Sequence, residues 1–321
     1  MSGNSVEAAA NAEWRRRQYE LPGTSTAGLD TPGRPADRVF DPALKHFASG
    51  YRVLDTVVDP ALRPAWQAAR RTALDVVAHG VARSGWADSL VLRGSTLMSG
   101  WFGAAAREPH DLDFVVVPQD WGIEEPRTGR LLAAVAEAAE RAASEHGLVI
   151  AADAAVSEDI WTYERVPGRR LVLPWSAPGL PGGQVQLDFV FNERLPAPPE
   201  PADVSGVRLQ AATPELSLAW KLVWLATDMY PQGKDLYDAV LLAERCTAPY
   251  ELVRTVFRES GEFFPPEAPW DAPVTLEAFS EVKWADWDTF RSEYPGLPGS
   301  AESYAERLLA ALAPTFEAGA G

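Results

Sequence analysis

Two apolar stretches of this chain carry an aspartate in the same setting: "DLDFVVV" at residues 111–117 and "VQLDFVF" at 185–191, which share Leu-Asp-Phe-Val. Both read as buried β-strands. A carboxylate at the edge of a buried strand is costly unless something cationic offsets it. Asp111 and Asp113 are two residues apart, so an extended backbone points both to one face. Asp188 holds the matching place in the second stretch. With those strands as neighbours, three carboxylates converge at one sheet edge and repel one another unless a divalent cation neutralises them. Magnesium suits such a set, because it takes hard oxygen ligands and bridges carboxylates to substrate phosphates.

The segment ahead of the first stretch supplies a complement. "SLVLRG" reads as a short strand ending at Gly94, and Ser95 is placed to cap the helix "STLMSGWFG". Backbone N–H groups at a helix N-terminus bind anions, and glycine lets a phosphate approach closely. Taken singly, each piece has a plainer reading. An Asp-x-Asp can be a solvated strand entry, a Gly-Ser a capped turn, and Asp188 a surface residue. It is their order on successive elements that points to phosphate chemistry.

Around this nucleus, residues 1–38 are rich in Ala, Gly, Pro and Ser and read as a mobile arm. Amphipathic or Ala-rich spacing predicts helices over 64–82 and 129–146. Strands are expected around 148–156, 160–173 and 184–193. The Pro-rich run "LPAPPEPADVSG" marks an expected domain boundary. Beyond it helices are predicted over 214–229, 233–245, 249–259 and 301–314. The fold class is therefore α+β, with a mixed-sheet catalytic domain over 39–205 and a helical C-terminal domain over 206–321.

Bulk properties narrow the function. The formal net charge of −16 opposes broad binding to phosphate backbones, though a local basic patch can still dock one folded RNA. Cys246 is the only cysteine, which excludes an intramolecular disulfide and a thiolate metal cluster. With neither a signal peptide nor an apolar run near 18 residues, the chain reads as soluble and cytoplasmic, without a membrane partner.

The ordered motifs resemble the DNA polymerase β-like nucleotidyltransferase superfamily, whose signature is Gly-Ser, a short helix and Asp-x-Asp. More narrowly they are similar to the AbiEii/AbiGii toxin family. That family adds a strand ending in aspartate, matched by "VQLD" at Asp188. It adds a helical lysine motif, matched by "LAWKLVWLA" at Lys221, and an Asp-x-x-Asp motif, matched by "KDLYDAVLL" at Asp235 and Asp238. The resemblance spans roughly residues 85–245. Two departures stand out. Ser95 and Asp111 are separated by fifteen residues, a longer gap than is usual, and Trp224 and Asp228 stand where the family carries Ala and Arg.

The resemblance implies a polymerase β-like nucleotidyltransferase domain and assigns roles. Gly94 and Ser95 would cradle a nucleoside triphosphate, with Lys221 and Lys234 as phosphate-side charges. Asp111 and Asp113 would hold Mg²⁺ against the triphosphate, and Asp188, with a second Mg²⁺, would serve the acceptor hydroxyl. Asp235 and Asp238 would act as an acceptor-side base or as an anchor for Lys221; read plainly, they are an acidic helix start. Lys221 read plainly is a helix lysine snorkelling to solvent. His110 reads as a loop residue beside the motif, and Trp220 and Trp224 as packing rather than a base-stacking platform. Arg93, Arg107, Arg165, Arg169, Arg170, Lys221 and Lys234 are candidates for a basic face, Arg169 and Arg170 in an exposed loop.

Three functions follow. The first is a toxin of a toxin–antitoxin or phage-defence pair, with a cognate antitoxin, adding nucleotides to RNA such as a tRNA acceptor end. The second is a transferase acting on a small molecule or protein, which the acidic balance favours. The third is a non-catalytic binding protein that kept the fold.

Overall fold

The computed structural model describes residues 38–40, 51–53, 59–162, 166–228, 231–261, 269, 272–282 and 285–319. The arm expected at 1–38 lies outside these residues except for Arg38, and Arg165 lies outside them too. A short antiparallel pair, β1 (Arg38–Phe40) and β2 (Tyr51–Val53), precedes the rest. The chain divides into two compact units. One contains Ser49–Glu193 with Glu200–Ala211, the other Arg194–Pro199 with Ala212–Gly321.

The first unit is built on an eight-stranded mixed sheet. Its strands are β3 (Leu90–Arg93), β4 (Asp111–Val116), β5 (Val149–Ile150), β6 (Val156–Thr162), β7 (Val166–Ser176), β8 (Gly183–Val190), β9 (Glu200–Val204) and β10 (Val207–Ala211). They run in the order β5-β7-β8-β4-β3-β10-β9, with β6 also paired to β7. β4 and β8 are parallel neighbours, as are β3 and β10. The two Leu-Asp-Phe-Val stretches therefore lie side by side.

Alternation along these strands sorts the side chains onto two faces. Leu112, Phe114, Leu171, Leu173, Leu187 and Phe189 are buried on one of them, with the Phe114 and Phe189 rings stacked at 5.6 Å. Trp175 shares that face, and Trp66 of helix α1 (Arg63–Arg83) lies 5.8 Å from it. α1 thus covers the apolar face, and the aspartates point to the opposite one. Helix α2 (Ser95–Phe102) links β3 to β4, and α3 (Pro126–Glu145) packs on α1. That crossing is tight at Gly80, where an added β-carbon would lie 2.7 Å from Ala139 backbone.

The second unit is helical. It contains α4 (Pro214–Thr227), α5 (Gly233–Arg245), α6 (Tyr250–Ser260), α7 (Trp287–Glu293) and α8 (Ala301–Gly319). Thr213 caps α4 by accepting from Leu216 N at 3.2 Å. α4 is buried nearly all round and packs on α5 and α6, while α8 packs on α5.

Several expectations change. The Pro-rich run does not close the first unit: it contains β9 and the turn into β10, a hairpin that returns to the same sheet beside β3. Ser205 and Gly206 both have positive φ, 51° and 85°, the backbone that a tight two-residue hairpin turn demands. The two uncertain strands resolve into β5, β6 and β7. α7 was not expected, and α8 continues through Pro314 to Gly319. Among the described residues no helix is long and apolar enough to cross a membrane.

Candidate active site

On the face opposite α1, four strands bring one residue each into a single cross-strand row. Arg93 of β3 is registered with Asp113 of β4, Asp113 with Asp188 of β8, and Asp188 with Arg170 of β7. Two carboxylates stand in the middle and an arginine on each side. The adjacent row places Asp111 beside Gln186.

The Gly94–Ser95 turn joins this row at its β3 end. Gly94 has φ +83° and ψ −157°, a backbone that side-chain-bearing residues avoid. A β-carbon there would also overlap Asp113 Oδ2. Glycine is thus required twice, by its backbone and by the carboxylate pressed against it. Gly94, not Ser95, is the N-cap of α2, and no side chain caps that end. The buried Ser95 hydroxyl instead donates to Asp111 Oδ1 at 3.3 Å, and Thr96 Oγ1 donates to Asp111 O at 3.1 Å. The first turn of α2 is so stitched to the start of β4. The helical ladder opens with Met98 N donating to Gly94 O, leaving the N–H groups of Ser95, Thr96 and Leu97 ahead of it. Such an end suits an anion.

Asp188 is 5% exposed and is gripped by its neighbours. Arg170 Nε donates to Oδ1 at 2.8 Å and Nη2 to Oδ2 at 2.9 Å. Gln186 Nε2 adds a third bond to Oδ2 at 2.9 Å. The expectation of three mutually repelling carboxylates is corrected here, since the charge of Asp188 is compensated within the sheet. Among the described residues no three His, Cys, Asp or Glu side chains form a metal-holding group. The donors nevertheless suit a hard divalent cation. Asp111 and Asp113 are partly exposed carboxylates on one face, and the lack of a side chain at Gly94 is what lets the Asp113 carboxylate lie against the turn.

Arg169 and Arg170 are also corrected: they belong to β7, not to an exposed loop. Arg170 is 1% exposed. Arg169 points the other way and pairs with Asp159 at 2.6 Å and Glu124 at 3.6 Å. Arg93 is buried and donates to Glu193 at 2.7 Å. His110 accepts from Arg70 through Nδ1 at 3.5 Å, and Arg107 lies half-buried in the same loop. Gln186 and Glu193 were not singled out from the sequence. Their roles depend on strand pairing, which no local pattern encodes.

In the second unit, Lys221 of α4 meets Asp235 and Asp238 of α5. Its ammonium is 2.6 Å from Asp235 Oδ1 and 3.1 Å from Asp238 Oδ2, with all three residues buried. It also lies 4.9 Å from the Trp224 ring centre, a cation–π contact. Lys221 therefore does not snorkel, and the two aspartates are not a solvated helix start. Lys234 sits half-buried in the first turn of α5, and Trp220 is buried in packing.

A family model for the nucleotidyl transferase AbiEii toxin of type IV toxin–antitoxin systems matches residues 75–318. Among solved structures, the chain is similar to MenT4, a nucleotidyltransferase toxin from Mycobacterium tuberculosis H37Rv. Identity is 17%, over 79% of this chain and 88% of that one, with a TM-score of 0.45. No curated protein matches the sequence.

Proposed function

This chain belongs to the family of AbiEii nucleotidyl transferase toxins of type IV toxin–antitoxin systems, and from that premise we propose that it moves a nucleoside monophosphate from a nucleoside triphosphate to a hydroxyl of RNA, such as a tRNA acceptor end. The acceptor oxygen bonds to the α-phosphorus, the α–β bridging bond breaks, and pyrophosphate leaves. The observation that carries this reading is the register of Asp113 with Asp188 beside a glycine turn that tolerates no side chain.

Each residue then has a task. The N–H groups opening α2 receive phosphate oxygens, and Ser95 holds the Asp111 carboxylate in place. Asp111 and Asp113 would hold Mg²⁺, two ions being the expected number, with Asp188 completing the acidic set. When bound, the metal supplies charge neutralisation of the phosphates and a lowered pKa for the acceptor hydroxyl. Lys221, fixed between Asp235 and Asp238, is the family's lysine and serves transfer as an oriented positive charge. Lys234 is assigned to the phosphates with it. A cognate antitoxin is the expected partner, in keeping with the family.

A small-molecule or protein acceptor is the second reading. The net charge of −16 favours it, as does the pairing of Arg93, Arg169 and Arg170 with carboxylates of this chain. One experiment separates the readings. The protein is incubated with each α-labelled nucleoside triphosphate, Mg²⁺, and either total RNA or an RNA-free cell extract. Label in RNA supports the first, label only in a small product or protein the second, and no label anywhere rejects both.

A further inference from the structure

Asp188 enters this site already committed. An ionised carboxylate offers about four lone-pair directions. Oδ2 accepts from Arg170 Nη2 and Gln186 Nε2, and Oδ1 accepts from Arg170 Nε. The direction left over lies on Oδ1. The guanidinium that takes two of the others is 1% exposed, so the pair cannot exchange freely with water. A planar two-pronged contact also fixes the tilt of the carboxylate, which a lysine in the same place would not do.

We propose that Arg170 is a positioning residue for nucleotidyl transfer: it holds Asp188 by both oxygens, so that this carboxylate meets its reaction partner through Oδ1 alone. This rests on the functional reading above. The row Arg93–Asp113–Asp188–Arg170 has a second consequence. Arg170 places a fixed positive charge beside the acidic set and thereby weakens its hold on added cations. Arg170 thus trades cation affinity for the orientation of Asp188.

An ion pair that merely stabilises the fold would leave turnover in folded protein unmoved, and cation affinity reports the opposing charge separately, so both are measured. Arg170→Gln and Arg170→Lys are assayed for kcat, for KM of the triphosphate, and for binding of Mn²⁺ by nucleotide-free protein. For Arg170→Gln, kcat falls about tenfold or more while KM holds within about threefold, the mark of a group acting in the transition state. Its Mn²⁺ dissociation constant drops by about tenfold as the opposing charge is removed. Arg170→Lys keeps the charge, so Mn²⁺ binding stays at the wild-type level while kcat still falls. A folded Arg170→Gln protein with wild-type kcat overturns the proposal, whatever its Mn²⁺ affinity. Should that variant not fold, Arg170→Lys decides: reduced kcat with unaltered Mn²⁺ binding supports it, and wild-type kcat overturns it. A wild-type protein that labels no acceptor would refute nucleotidyl transfer itself. The Mn²⁺ titration needs no turnover and still tests the opposing charge that Arg170 places beside the acidic set.

Discussion

Gly94 and Asp113 are packed so closely that a β-carbon at position 94 would overlap the Oδ2 atom of Asp113. Gly94→Ala thus faces two penalties, a positive φ of 83° and a displaced carboxylate. The backbone alone costs about 1–3 kcal/mol. Thermal unfolding should register that loss, and turnover of the folded fraction should fall further because Asp113 has moved. A Gly94→Ala protein with normal turnover would mean that the placement of Asp113 does not matter.

Asp111→Asn and Asp113→Asn should each abolish transfer while the protein stays folded. Both side chains are partly exposed, so an amide there strands no buried charge. Circular dichroism and an end-point labelling assay check the two halves of this statement. Turnover retained at saturating Mg²⁺ in both variants would remove these residues from the cation site.

Asp188→Asn behaves differently, because it leaves the buried Arg170 guanidinium without its carboxylate. Removing one partner of a buried pair costs about 3–5 kcal/mol. Urea denaturation should show that loss, and Arg170→Gln added to Asp188→Asn should recover part of it. Triphosphate affinity of the folded variant should stay within about tenfold, ~1.4 kcal/mol, since Asp188 is assigned to the acceptor side. Loss of all nucleotide binding in folded protein would reassign it to the phosphates.

The contrast between these aspartates shows where sequence reasoning stopped. The strand–turn–helix–strand order from Leu90 to Val116 was legible because local signals agreed: apolar strands, a Gly-Ser turn, and the Asp-x-Asp spacing. The Leu-Asp-Phe-Val repeat likewise marked β4 and β8 as companions. Arg170 was misplaced because Pro167 and Gly168 made its stretch read as a loop. Adjacent residues of a strand face opposite ways, so the two arginines had to serve different faces, and Arg170 falls on that of Asp188. Its partner, however, lies 18 residues on, and only register reveals it. The first strand of the β9–β10 hairpin was hidden in a Pro-rich run; β9 is an edge strand, where Pro201 is tolerated. Neither the burial of Lys221 nor its pairing with Asp235 and Asp238 could be read from a helical pattern alone.

Arg169→Ala should leave the salt dependence of RNA labelling unchanged, since Arg169 already pairs with Asp159 and Glu124. Each lost phosphate contact would lower the slope of log affinity against log salt by close to one unit, somewhat less for single strands. A slope reduced by about that amount would place Arg169 on the acceptor.

Alkaline stability has a defined sign. Burial, reinforced by the charge of Glu215, pushes the Cys246 thiol up to about 11, and burial raises the Tyr237 phenol as well. Both groups ionise more readily in the unfolded chain. Their contribution to stability is therefore complete at neutral pH and declines as pH rises from about 9 toward 11. Denaturation midpoints across that window should fall, and Cys246→Ala should flatten the decline. A pH-independent midpoint would show that the thiol does not titrate differently in the two states. By the same shift, Cys246 should resist thiol reagents at neutral pH.

Nucleotidyl transfer by this site is tested most plainly by counting products. Wild-type protein and Asp113→Asn are given α-labelled nucleoside triphosphates, Mg²⁺ and total RNA, and incorporated label and released pyrophosphate are measured together. Equal amounts of RNA-bound label and pyrophosphate are expected from the wild type, and neither from Asp113→Asn. Equal labelling by the two proteins, or triphosphate consumed with no label on any acceptor, would contradict nucleotidyl transfer by this site.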